Sequence, residues 1–165
     1  MSLLDEIKQK SKVDFRPASQ AGLDALRALG VPENALAFYQ DSEPATCAEI
    51  DDVRLWPISD VLGENRDFVP GCYIQPLGYI VFATTVFGDA FCFDWNPANS
   101  SATAPLVLIA HDLDWNEIKR EEIANLAKPI APSFESFLIA FVAETLDIEP
   151  LYPPFNFDNP KDASP

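Results

Sequence analysis

Two apolar runs separated by a short turn make residues 78–95 the clearest pattern in the chain. Because strand side chains alternate between two faces, the first run divides into two sets. One face holds Val81, Ala83 and Thr85, and the other holds Ile80, Phe82, Thr84 and Val86. The second run places its aromatic side chains on one face: Phe91, Phe93 and Trp95. Gly88 accepts a positive φ and Asp89 can hydrogen-bond nearby backbone, so a β-hairpin is predicted, with Trp95 substantially buried.

Apolar residues at helical spacing predict helices on both sides of this hairpin. Ser2 can cap a short first helix, and a second is expected over residues 21–29, with Gly30 as its stop. A third helix is expected to start at Pro32. The strongest helical pattern covers residues 133–146, behind an N-terminal Ser. Its apolar stripe consists of Phe134, Phe137, Leu138, Phe141 and Val142.

The remaining segments are assigned from turn residues and short apolar runs. Loops are expected at residues 41–52, 63–71 and 96–104, and short strands at 53–56 and 72–75. Residues 58–62 suit a single helical turn, and residues 116–128 have mixed helical character without clear ends. The continuous apolar run at residues 105–110 predicts a strand buried on both faces.

The order of helices, then strands, then a helix predicts an α+β fold. We expect a mainly antiparallel central sheet packed by N-terminal and C-terminal helices. Residues 1–146 are expected to form one domain, in which residues 1–20 are a helical N-terminal extension. Residues 147–165 combine five prolines with aromatic side chains, which predicts an extended strap that docks on the domain or, alternatively, on a partner.

Composition narrows the classes of function. The chain has 165 residues, of which 48% are hydrophobic, but no run of 18 apolar residues that would suit a transmembrane helix. Its N-terminus lacks the apolar core of a secretory signal, so a cytoplasmic protein is expected. A net charge of −15 disfavours nucleic acid and anionic membranes and favours a basic partner, although solubility alone also explains it.

No common catalytic motif stands out. Cys47, Cys72 and Cys92 lack metal-ligand spacing and are expected to be small buried side chains, so a nucleophile served by His111 is the weaker interpretation. A metal site at His111, Asp112 and Asp114 matches no defined calcium loop. No cofactor is expected. Among the tryptophans, Trp115 stands between two polar residues, Asp114 and Asn116. It is therefore the best candidate for an exposed side chain that anchors a protein partner.

Several segments resemble the SMI1/KNR4 (SUKH) superfamily and follow one another in that family's order. They are residues 31–39, 55–58, 78–82 followed by 87–94, 105–112 and 131–138. The Gly88-Asp89 turn before an aromatic strand that ends in Asp94 is the family-like hairpin, and Ser133-Phe134 opens the family-like closing helix. The chain departs from the family in its N-terminal extension, its Pro-rich tail and Gln40-Asp41, where Asn-Gly often occurs.

The resemblance implies a function as well as a fold. Bacterial members commonly act as immunity proteins that bind and block a toxin domain, often a nuclease or a deaminase. This implies a basic protein partner. Most of the candidate contact residues are acidic side chains in loops: Asp51, Asp52, Asp112 and Asp114. Asp94, at the end of the aromatic strand, and Trp115 complete the set. The alternatives are a regulatory scaffold, a small-ligand module that uses the aromatic face of the sheet, and a hydrolase with paired carboxylates.

Overall fold

The computed structural model describes residues 1–95 and 103–153 and has an α+β fold. Its helices are α1 (Leu3–Ser11), α2 (Gln20–Leu29), α3 (Glu33–Ser42), α4 (Ile58–Asp67), α5 (Gly71–Ile74), α6 (Arg120–Leu126) and α7 (Phe134–Ala143). Its strands are β1 (Phe15–Arg16), β2 (Glu43–Pro44), β3 (Ala48–Ile50), β4 (Val53–Leu55), β5 (Tyr79–Thr85), β6 (Ala90–Asp94), β7 (Leu106–Ile109) and β8 (Lys128–Ala131). Strands β3 to β8 form a six-stranded antiparallel sheet in chain order, and β1 pairs with β2. The predicted fold class is confirmed.

The helix ends follow the local chemistry of the sequence. The Ser2 side chain and Asp5 form a capping box at the start of α1. Gly30, with φ 103°, ends α2 in the left-handed conformation that glycine adopts easily. The Ser133 side chain accepts a hydrogen bond from the backbone N–H of Ser136 and caps α7. All five residues of the predicted α7 stripe are buried.

The central hairpin is confirmed, but its first strand contains a β-bulge. Val81 pairs with Cys92 and Ala83 pairs with Phe91, so Phe82 is an extra residue between them. The bulge reverses the alternation of side chains beyond it. Ala83 therefore lies in the same core cluster as Phe82 and not with Val81. The predicted face assignment is correct up to Phe82 and is reversed from Ala83 onward.

The sheet is buried on both faces. On one face, α7 covers an aromatic core in which the Phe82 ring centroid lies 4.5 Å from that of Phe93 and 5.0 Å from that of Phe137. On the other face, a second apolar cluster includes Val81, Cys92 and Ile123. The prediction that the apolar run after Pro105 forms a strand buried on both faces is confirmed by β7.

Several predicted boundaries are wrong. The segment 41–52 holds the end of α3 together with β2 and β3, and α4 continues to Asp67, so it takes up the first five residues of the predicted loop at 63–71. Residues 72–75 are helical rather than a strand, because Pro70 opens α5 and a 3-10 turn (Gln75–Leu77) follows. Strand β8 was not predicted, and it contains Pro129 at the edge of the sheet, where a missing N–H is tolerated. Trp95 is 39% exposed, so its predicted burial is also wrong.

The start of the predicted strap contacts the domain. The Lys128 ammonium lies 2.6 Å from an Asp147 carboxylate oxygen and donates to the backbone carbonyl of Glu149 at 2.5 Å. Ile148 packs against the first core cluster. Residues 154–165 of the predicted strap, and residues 96–102 of the predicted loop, lie outside the described residues. No helix within the described ranges is long and apolar enough to cross a membrane.

Candidate protein-binding surface

Antiparallel strands in chain order bring three connections to the same end of the sheet. These are the β3–β4 turn at residues 51–52, the β5–β6 turn at residues 86–89 and the segment that follows β7. The backbone N–H of Val86 donates to the Asp52 carbonyl at 2.8 Å, which joins the first two connections. Loops distant in sequence therefore form one continuous surface.

A buried carboxylate joins the hairpin turn to the segment after β7. Asp89 is 4% exposed, and its Oδ1 accepts the backbone N–H of His111 at 3.1 Å and lies 2.8 Å from the His111 ring Nδ1. The turn itself is closed by Thr85, whose side-chain oxygen accepts the backbone N–H of Asp89 at 3.1 Å. Asp89 thus fixes the relative position of two loops in addition to occupying its turn.

Exposed acidic and aromatic side chains occupy this surface. Asp51 and Asp112 are exposed and Asp52 is half-buried. Phe87 at the tip of the hairpin is 63% exposed. The Tyr152 phenol, 54% exposed, faces Asp112; its pKa is raised first by desolvation and then by the charges of Asp112 and Asp89.

We call these five residues the acidic sheet end: Asp51, Asp52, Phe87, Asp112 and Tyr152. Residues 51–52, 86–89 and 110–118, which supply all of these side chains except Tyr152, contain no lysine or arginine. Exposed aromatic rings among uncompensated carboxylates are typical of a surface that binds a basic protein.

Two of the predicted contact residues also stabilise the loop after β7. The Asp114 carboxylate accepts hydrogen bonds from the Asn116 backbone N–H at 3.1 Å and from its side-chain amide at 3.2 Å. The Trp115 indole N–H donates to the His111 carbonyl at 3.2 Å, and its ring packs against the second core cluster. Trp115 is half-buried and not the exposed anchor that the sequence suggested.

Asp94 lies at the opposite end of β6 from Asp89 and so is not part of the acidic sheet end. Its Oδ1 accepts a hydrogen bond from Arg120 Nη2 at 2.7 Å. The same guanidinium donates to the Leu77 carbonyl and lies 4.7 Å from the centroid of the Tyr79 ring. This partly buried ion pair attaches α6 to the base of the hairpin, which gives Asp94 a structural role.

The arrangement of the cysteines does not favour nucleophilic chemistry. Cys92 is fully buried, and burial raises its thiol pKa well above the ordinary value, which is the opposite of activation. Desolvation also raises the pKa of Cys47. Within residues 1–95 and 103–153, no group of three or more His, Cys, Asp or Glu side chains is placed to hold a metal ion.

Sequence reasoning missed Phe87 as a candidate contact residue. It assigned Phe87 only to the turn, but an aromatic ring at the tip of a two-stranded hairpin has no strand neighbour to cover it. The position of an aromatic residue directly before Gly88-Asp89 is the signal that identifies it.

One further carboxyl group has a shifted pKa, and this shift provides a test of the structure. Burial raises the pKa of Glu64 on α4 from its ordinary 4.5 to about 7. The folded chain therefore keeps a proton that the unfolded chain loses, and this contribution to stability is present below pH 4.5 and lost as the pH rises through about 7. Glu64→Gln is expected to stabilise the protein by about 1–2 kcal/mol at pH 8, after allowance for partial exposure, and very little at pH 4.

Chemical denaturation at both pH values measures this difference. Glu122→Gln, at an exposed position on α6, is the matched control and should show no such pH-dependent gain. An equal effect of Glu64→Gln at pH 4 and pH 8 would contradict the burial of an uncompensated carboxyl.

No protein-family model matches the chain, and no curated protein matches its sequence. The resemblance to the SMI1/KNR4 superfamily therefore stays a prediction that rests on the motifs quoted above. The structure itself defines the class of fold: an α+β protein in which helices pack on both faces of a six-stranded antiparallel sheet.

Proposed function

We propose that this chain is a non-enzymatic, immunity-type protein that binds a basic toxin domain and blocks it. The toxin domain in this proposal acts on nucleic acid, because such domains present basic surfaces to phosphates. An acidic protein can cover such a surface and associate with it quickly.

The observation that carries the proposal is the acidic sheet end. Asp51, Asp52 and Asp112 come from connections far apart in sequence, and hydrogen bonds join both connections to the hairpin turn that carries Phe87. Charged groups at the rim accelerate association, and a desolvated aromatic ring supplies affinity. The family resemblance supports the same kind of partner.

The small-ligand alternative requires an accessible aromatic face, and the aromatic face of the sheet is filled by the core. Phe82, Phe91 and Phe93 are fully buried, and the Phe91 ring centroid lies 5.3 Å from that of Phe137 on α7. No specific observation favours a regulatory scaffold over an immunity-type protein.

The first test is Phe87→Ala in a complex with a catalytically inactive form of the toxin domain encoded beside this protein. Loss of a central aromatic contact is expected to raise the dissociation constant about 10- to 100-fold. Ile139→Ala is the matched control, because Ile139 on α7 is 53% exposed but lies outside the acidic sheet end. Titration calorimetry measures both variants.

Charge is tested separately by the double variant Asp51→Asn and Asp112→Asn. We expect an association rate about tenfold lower than that of the wild type at low salt, with a smaller difference at high salt, because salt screens exposed charges. The proposal is wrong if the folded wild-type protein neither binds the toxin domain nor rescues growth on co-expression. Equal weakening by Ile139→Ala would place the interface elsewhere.

A further inference from the structure

A cavity on helix α4 has the chemistry of a cation site. Its walls include Trp56 and Phe68, with Asp60 and Glu64 between them on the helix. Its volume is about 330 Å³, and Ser59 and Gly63 complete the lining. The Phe68 ring is 60% exposed, and Trp56 is half-buried between the two core clusters. Aromatic rings offer apolar surface to the alkyl part of an organic cation and also attract a nearby positive charge.

The acidic groups of the cavity have no cationic partner of their own. Among the residues that the structure describes, no Lys, Arg or His forms an ion pair with Asp60 or Glu64. The Ser59 hydroxyl donates to Asp60 Oδ1 at 3.3 Å. Burial is the only cause of the raised Glu64 pKa, so no neighbouring positive charge compensates its carboxylate. A half-buried carboxyl group without compensation either keeps its proton or is stabilised as a carboxylate by a bound cation.

The placement of the two carboxyl groups distinguishes binding from hydrolysis. Asp60 and Glu64 are four residues apart on α4, so their side chains project from the same wall of the cavity. A glycosidase-type pair flanks the scissile bond from two sides. Two carboxylates on one wall, with aromatic rings beside them, are instead suited to hold one cation together.

We propose that this cavity binds a protonated alkylamine or alkylguanidinium group, with the charge at Glu64 and Asp60 and the alkyl chain against Trp56 and Phe68. The group can belong to a free amine or to the side chain of a basic protein. The cavity uses no residue of the acidic sheet end, so this inference stands independently of the proposed function.

The test is an NMR titration of the full chain with n-butylammonium at pH 8, where Glu64 is ionised. We expect shifts of the Gly63 and Phe68 amides and a dissociation constant of about 1–10 mM, the range for so small a ligand. The neutral isostere n-butanol is expected to bind at least tenfold more weakly. Equal binding of n-butanol, or shifts confined to other parts of the chain, would overturn the proposal.

Single-residue variants test which side chains of the cavity contact n-butylammonium. Glu64→Gln and Phe68→Ala are each expected to weaken n-butylammonium binding at least tenfold, and Glu122→Gln is the control that leaves it unchanged. Phe68 is exposed, and Glu64→Gln removes an unfavourable charge, so both variants should remain folded. Unchanged binding in Glu64→Gln would overturn the proposal.

A second titration, with a lysine peptide, distinguishes a free amine from a basic side chain of a protein as the natural ligand. The capped peptide acetyl-Ala-Lys-Ala-amide presents the same ammonium group on a protein-like backbone. Tighter binding of the peptide than of n-butylammonium assigns the cavity to a basic side chain of a protein. Tighter binding of n-butylammonium assigns it to a free amine. If neither probe binds, the cavity is not a cation site.

Discussion

Asn65→Ala is expected to lower the free energy of unfolding by about 3–5 kcal/mol, the largest effect that we predict for a single polar side chain. Asn65 is 3% exposed. Its Nδ2 donates to the Val81 carbonyl at 2.7 Å and to the Val61 carbonyl at 2.8 Å, and its Oδ1 accepts the Val81 N–H at 2.9 Å. The side-chain amide thus pairs with both backbone groups of Val81, as a neighbouring strand would.

The sheet needs this amide because β4 is short. Strand β4 ends at Leu55, which pairs with Ala83, so Val81 on β5 has no partner in that strand. The β-bulge lies at the same place. Without Asn65, a buried N–H and a buried C=O are left unsatisfied, and each costs about 1–3 kcal/mol.

Chemical denaturation measures the loss, and two further variants separate its causes. Asn65→Leu keeps most of the volume without any polar atom, so a similar loss shows that hydrogen bonding rather than packing is responsible. Asn34→Ala, at a half-buried position in α3, is the control and should change stability by less than about 1 kcal/mol. A loss below 1 kcal/mol for Asn65→Ala would contradict the arrangement described.

The features that were predictable from sequence depend on local chemistry. The caps at Ser2, Gly30 and Ser133 act within a few residues, and the apolar stripe of α7 repeats at helical spacing. The hairpin turn requires only Gly88 and its neighbours. These signals lie within one segment of sequence, and so the segment alone reveals them.

The features that were missed depend on contacts between distant segments. Asn65, which hydrogen-bonds β5 at its bulge, lies 16 positions before Val81 in the sequence. The residues next to Val81 therefore do not indicate the bulge. Helix α4 extends through Gly63 because it packs against β5 and α2, contacts that overcome the unfavourable helix propensity of glycine. Strand β8 is visible only once β7 is present to pair with Pro129 and its neighbours.

The candidate surface was only partly predictable, because it depends both on local sequence and on contacts between distant segments. Acidic residues in loops are evident in the sequence, but which loops meet depends on strand order. In an antiparallel sheet, Asp89 and Asp94 at the two ends of β6 must point to opposite ends of the sheet. Asp51, Asp52 and Asp112 therefore lie at the same end of the sheet as Asp89, and Asp94 instead pairs with Arg120.

Gly78→Ala is expected to destabilise the protein by about 3–4 kcal/mol. Gly78 has φ 92°, a left-handed conformation that costs an L-residue about 1–2 kcal/mol. A Cβ atom at this position would overlap the Trp95 carbonyl oxygen and lie 2.8 Å from Arg120 Nη1. The backbone N–H of Trp95 donates to the Gly78 carbonyl at 2.8 Å, so the clash strains the pairing that closes the base of the hairpin.

The position of Arg120 makes the effect larger than that of an ordinary turn glycine. Its guanidinium bonds both Asp94 and the Leu77 carbonyl, so displacing it weakens the attachment of α6 to the hairpin. Losing part of a partly buried, charge-assisted network adds about 1–2 kcal/mol to the conformational cost. Arg120→Ala combined with Gly78→Ala should therefore be less destabilising than the sum of the two single variants.

Gly63→Ala is the matched control, and its expected effect has the opposite sign. Gly63 lies inside α4, and a Cβ atom there would meet only the Phe68 ring, at 3.8 Å. Alanine in a helix interior is favoured over glycine by about 0.5–1 kcal/mol, so this variant should be more stable than the wild type. Thermal and urea denaturation of both variants measure the contrast. A stable Gly78→Ala protein would mean that the base of the hairpin does not pack against Arg120 as described.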